Sequence, residues 1–108
     1  MLTREELPEC PVATTVQLIG NKWKLLIIRN LEYNGEQRFG DFIKSIPAIS
    51  KKVLTDNLRA LEKDGLVERE VFAEVPPRVV YSLSPIGRTL EPIFEAMSEW
   101  GAKYKASL

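Results

Sequence analysis

Three groups of side chains in this 108-residue chain have types and spacings that could do chemistry. The first is Lys51, Lys52, Thr55 and Arg59, which a helix turning about 100° per residue gathers on one face near its amino end, with Ser50 as the cap that starts the helix. Lysine neutralises phosphate, the arginine fork matches a guanine edge, and a serine hydroxyl beside the first backbone amides suits a phosphate oxygen. The same pattern also describes an ordinary solvated helix face. The second is Arg78, directly after Pro76 and Pro77, placed to reach phosphate or a narrow minor groove, or else to pair with Glu74. The third is Cys10, immediately before Pro11. The amino end of a helix favours a thiolate, Glu5, Glu6 and Glu9 oppose it, and a buried inert cysteine is the other reading.

Composition removes other chemistries. With no histidine and one cysteine, the chain lacks the commonest metal ligand and general base, has no nucleophile–histidine pair, and cannot close an internal disulfide. Zinc or hydrolytic chemistry is therefore not expected, no cofactor is expected, and no cluster of catalytic residues suggests an enzyme. Fifteen Lys and Arg balance fifteen Asp and Glu, which argues mildly against a nucleic-acid partner. The distribution answers part of that objection: residues 21 to 64 carry nine cations against six acids, so a polyanion would dock there. No run approaches the roughly 18 apolar residues of a membrane span, and the first residues lack a signal-peptide layout. A cytoplasmic protein with no membrane partner is the expectation. At 44% hydrophobic and 28% charged, residues 1–108 suit one globular domain.

The elements that must position these groups follow from the punctuation. Pro11 starts a helix over Val12 to Ile19, Gly20 breaks it, and Asn21 caps a second helix from Lys22 to about Leu31. That helix carries Trp23, Leu25, Leu26, Ile27, Ile28 and Leu31 around most of its circumference, so it should be the central one. Tyr33-Asn34-Gly35 reads as a turn, Arg38-Phe39 as a very short strand, and Gly40 to Ser45 as barely two helical turns before Pro47. Ser50 caps a helix to about Asp64, where Gly65 tolerates a left-handed conformation. From Leu66 the period becomes two, giving strands over Leu66 to Phe72 and Val79 to Leu83 around a proline-stiffened tip. Ser84-Pro85 then starts a final helix to about Tyr104.

Short helix, turn, longer helix and hairpin make a winged helix-turn-helix, mainly α with one small hairpin. Its recognition helix spans about 50–64 and its wing about 66–83. The last helix, about 85–105, carries a continuous stripe that includes Ile93, Met97, Trp100 and Tyr104. A small core is hard pressed to cover the distal half of that stripe, which points to a homodimer. The alternative is packing along the chain's own first helix.

Cys10-Pro11-Val12, the run Gly20-Asn21-Lys22-Trp23-Lys24-Leu25, Arg38-Phe39-Gly40-Asp41-Phe42, the stretch from Ile49 to Arg69, and Val80-Tyr81-Ser82-Leu83-Ser84-Pro85 resemble the HxlR-type transcription regulators, which are similar to the MarR regulators. One departure is Lys24, where the family usually has threonine after Lys-Trp. The resemblance implies a dimeric winged-helix protein binding double-stranded DNA at an inverted-repeat operator. It also implies that Cys10 is a sensor thiol for an oxidant or small electrophile. With no second cysteine, oxidation would give a Cys10–Cys10 bridge between subunits, a mixed disulfide with a small thiol, or an S-adduct. A transcription regulator, and more specifically a repressor, is the leading reading. A winged-helix module that docks on an acidic protein is the alternative.

Overall fold

The computed structural model describes residues 2–108. A turn of 3-10 helix at Arg4–Glu6 leads into α1 (Pro11–Ile19), α2 (Lys22–Asn34), α3 (Phe39–Ser45) and α4 (Lys51–Lys63). The hairpin β1 (Val67–Phe72) and β2 (Arg78–Leu83) follows, then α5 (Pro85–Arg88) and α6 (Glu91–Ala106). The winged helix-turn-helix expected from the sequence is the fold. Among the described residues, no helix is long and apolar enough to cross a membrane.

The core lies where α2, α3, α4 and the base of the hairpin meet. Ile27 and Ile28 of α2, Phe42 of α3, Ile46 after it, and Leu54, Leu58 and Leu61 of α4 are fully buried. Trp23, Leu25 and Leu26 pack against that cluster from its edge. In the α3–α4 turn, Ile46 and Ile49 are buried on either side of Ala48, which takes a left-handed φ of 65°. Apolar anchors on both sides thus hold the angle between the two helices.

The antiparallel hairpin pairs Val67 with Leu83 and Phe72 with Arg78, leaving Ala73 to Pro77 as the tip. Its base is tied to the helices through Ser84, whose Oγ donates to the Gly65 carbonyl at 2.6 Å and accepts from the Gly87 amide at 3.0 Å. Gly65 has φ 78°, the left-handed conformation that lets α4 stop and the chain turn into β1.

Three sequence expectations need correction. Tyr33 and Asn34 do not form a turn; α2 runs through them and ends at Gly35, whose φ of 73° terminates it. The short strand is not Arg38-Phe39. Gln37 makes the bridge, exchanging backbone bonds of 2.9 and 2.7 Å with Tyr81, while Arg38 is the N-cap of α3 and Phe39 its first residue. Finally, the last helix is not continuous from Pro85. Pro92 has no amide hydrogen to give the Arg88 carbonyl, and the chain breaks at Thr89 and Leu90 before α6 begins. The dipeptide Glu91-Pro92, a helix-start signal inside the supposed helix, carried that information.

Candidate nucleic-acid interface

The exposed end of α4 is built from its cap outward. Ser50 Oγ accepts from the Val53 amide at 3.1 Å, so its hydroxyl hydrogen remains available to donate, as do the amides of Lys51 and Lys52. Lys51 and Arg59 are exposed and make no ion pair among the described residues. Lys52 is exposed too, but its Nζ lies 2.8 Å from Asp56 Oδ2 one turn on. Thr55 is half-buried on the same face. Ser50, Lys51, Lys52, Thr55 and Arg59 therefore do come together, with Lys51 and Arg59 as the unpaired cations. The spacing of four between Lys52 and Asp56 was the signal for the pairing that the face analysis missed.

Arg78 is engaged within the wing. Its Nε donates to Glu74 Oε2 at 2.9 Å, and its guanidinium lies 3.8 Å from the centre of the Phe72 ring. Of the two readings open for this residue, pairing with Glu74 is the one the structure displays. The tip itself presents Val75, Pro76 and Pro77, all exposed.

Cys10 is not buried. It is the N-cap residue of α1, with an exposed side chain that makes no capping bond. Thr14 Oγ1 reaches back to the carbonyl oxygens of Pro8 and Cys10 at 3.1 and 3.3 Å, fixing the backbone beneath the thiol. On α6, Leu90 and Phe94 at its start pack on the core. Ile93, Met97, Trp100 and Tyr104 stay exposed, Trp100 at 68%, with the Trp100 and Tyr104 rings stacked at 5.3 Å. The stripe is thus not covered by the chain's own first helix. Val12 and Val16 of α1 are exposed as well, at 70% and 58%.

A cavity of about 430 Å³ lies where α2, β2, α5 and the start of α6 meet, lined in part by Leu31, Glu32, Arg88, Glu91, Phe94 and Glu95. Glu32 Oε1 is buried there without a hydrogen-bond partner among the described residues. Burial first, and then the nearby Glu91 and Glu95 carboxylates, push the Glu32 carboxyl above its ordinary value of 4.5. Helical periodicity could place Glu91 and Glu95 on one face of the last helix, but it could not bring them to Glu32, which lies on α2.

A winged helix whose second helix presents unpaired cations at its exposed amino end is the architecture of a DNA-binding regulator. The HxlR-like helix-turn-helix family matches residues 18–107, and the chain belongs to that family. An uncharacterized HTH-type transcriptional regulator of Bacillus subtilis, YdeP, is 48% identical over 101 residues, covering 94% of this chain and 78% of that protein. The redox regulator HypR in its oxidized form superposes with a TM-score of 0.80 at 48% identity, over 87% of this chain and 96% of that one. A regulator of the MarR family from Enterococcus faecalis V583 gives a TM-score of 0.78 at 41% identity, over 90% of each chain. The protein is a transcriptional regulator of the HxlR/MarR type.

Proposed function

We propose that the protein represses transcription by binding an inverted-repeat operator as a homodimer. In this reading α4 is the recognition helix in the major groove and the hairpin is the wing. The observation that carries it is the exposed amino end of α4, where Lys51 and Arg59 stand unpaired beside the Ser50 cap. Ser50 and the first amides meet a phosphate, Lys51 and Lys52 neutralise backbone, and Thr55 and Arg59 face base edges. Arg78 joins the contacts at the wing once it leaves Glu74. The uncovered stripe of Ile93, Met97, Trp100 and Tyr104 supports the dimer, and a two-fold dimer presents two copies of α4 to a site of matching symmetry.

Cys10 is the redox-sensing residue in this proposal. Its thiol is exposed at the start of a helix whose Val12 and Val16 are open for subunit contact, and HypR, at 48% identity, is described as a redox regulator. A bridge or adduct at Cys10 would move α1 and change the spacing of the two recognition helices.

Footprinting and gel shifts on the region upstream of the protein's own gene test the reading. Affinity must fall steeply with salt and must favour one sequence. Unchanged affinity in a Lys51, Lys52, Arg59 triple-alanine variant overturns the interface. Binding to an acidic protein without any duplex preference overturns the DNA reading altogether. For the switch, diamide must change operator binding of the wild type but not of Cys10→Ser; equal responses remove Cys10 from the mechanism.

A further inference from the structure

Apolar packing holds α4 in place, but Leu54, Leu58 and Leu61 exert a non-directional force that tolerates small rotations of the helix. A directional contact lies at its edge, between the exposed Asn21 and α4. Asn21 caps α2 by accepting the Lys24 amide on Oδ1 at 2.8 Å, and its Nδ2 donates to Asn57 Oδ1 of α4 at 3.2 Å. Asn57, half-buried, uses its own Nδ2 to donate to the Val53 carbonyl at 2.7 Å. The backbone fixes both amides: only the oxygen of Asn21 can answer an N–H, and only the nitrogen of Asn57 can answer a C=O. What remains between the helices is therefore one donor facing one acceptor. Reversing either amide would set like against like at both of its contacts.

At about 100° per residue, Asn57 falls outside the arc that holds Lys51, Lys52, Thr55 and Arg59. It does not share the face that meets DNA. We infer that Asn21 and Asn57 form an interhelical amide clasp that fixes the rotation of α4 on α2, and so determines sequence discrimination from positions that do not touch DNA. The inference rests on α4 being the recognition helix. Base-edge hydrogen bonds demand close placement of the side chains that make them, whereas phosphate contacts adapt. Loss of the clasp therefore lowers the preference for the right sequence more than it lowers general affinity or stability.

The experiment uses a duplex of about 30 base pairs selected by the wild-type protein from a random pool, with a scrambled duplex of equal length, because specificity is the ratio of the two affinities. Asn21→Ser keeps a cap for α2, since serine is about as good there as asparagine, but its hydroxyl is too short to reach Asn57. Asn57→Ala removes the other half. Each single variant is expected to lower the ratio about five- to tenfold, the scale of one modest hydrogen bond per subunit. Asn21→Ser should lower the melting temperature by no more than a few degrees, the scale of one hydrogen bond lost from an exposed position. The double variant should lose no more than either single one, because both remove the same bond. A wild-type ratio in Asn21→Ser, or losses that simply multiply in the double variant, overturns the clasp. A wild type that prefers no duplex overturns the reading of α4 itself, and the clasp with it.

Discussion

Among the described residues Lys51 and Arg59 meet no carboxylate, whereas Lys52 is held by Asp56 and Arg78 by Glu74 and the Phe72 ring. The four cations should therefore differ in what they give to DNA. Arg59→Ala should cost about 1–3 kcal/mol on the preferred site and relax the choice at one or two base pairs. Lys51→Ala should weaken all duplexes alike and reduce the log–log salt slope by roughly one. Glu74→Gln, by freeing Arg78, should raise affinity severalfold in a salt-sensitive way; a fall in affinity would mean that the paired geometry is the one DNA uses. Titration by fluorescence anisotropy at several salt concentrations reads all three. The cationic face of α4 was legible in the sequence because charge type and helical period are both local. The Phe72 platform under Arg78 was not, because it depends on hairpin register: Phe72 and Arg78 are cross-strand partners only once the five-residue tip has closed.

At the scale of elements, what could be read was whatever a cap, a glycine or a period announces. Asn21, Ser50 and Gly65 mark their helix ends as expected, and the Ser50 cap bond to the Val53 amide is formed. Ser50→Ala should accordingly lower unfolding stability by about 1 kcal/mol, measured as a shifted urea midpoint at constant slope. Leu58→Ala, which empties a position 2% exposed on the core face of α4, should cost about 2–5 kcal/mol. Equal effects of the two would contradict the assignment of one to the rim and the other to the core. The misplaced strand shows where local reading ends. Gln37 is buried and bridges Tyr81 because β2 supplies an edge there, and a single bridging residue has no period of its own to detect.

The whole molecule is a compact helix-turn-helix body from which α1 and most of α6 project, with principal extents of 51, 38 and 23 Å. The apolar stripe that makes α6 look like an interface was legible because it is periodic. Trp100→Ala should shift the protein toward monomer in sedimentation and weaken operator binding in parallel; a wild type that is monomeric at micromolar concentration would sink the dimer. Leu90 and Phe94 join α6 to the core, and the meeting of Glu32 of α2 with Glu91 and Glu95 of α6 beside them was not legible, because the three acids converge only in three dimensions. Burial and these two neighbours raise the Glu32 carboxyl above 4.5, so the folded chain holds this proton more tightly than the unfolded chain does. An acid whose value is raised on folding holds more protons in the folded than in the unfolded chain, so its penalty is absent at low pH and grows as pH rises from about 4.5 through the folded value. Above that folded value the ionised carboxylate is penalised by its burial and by its two acidic neighbours, and its Oε1 has no hydrogen-bond partner among the described residues. Glu32→Gln removes that charge while keeping the shape. Its urea midpoint should exceed that of the wild type at about pH 7, and the difference should close on acidification below about 4.5, where the wild-type carboxyl is itself neutral. A variant less stable than the wild type across the whole range would show that the ionised carboxylate is held by contacts that outweigh its burial and its two acidic neighbours.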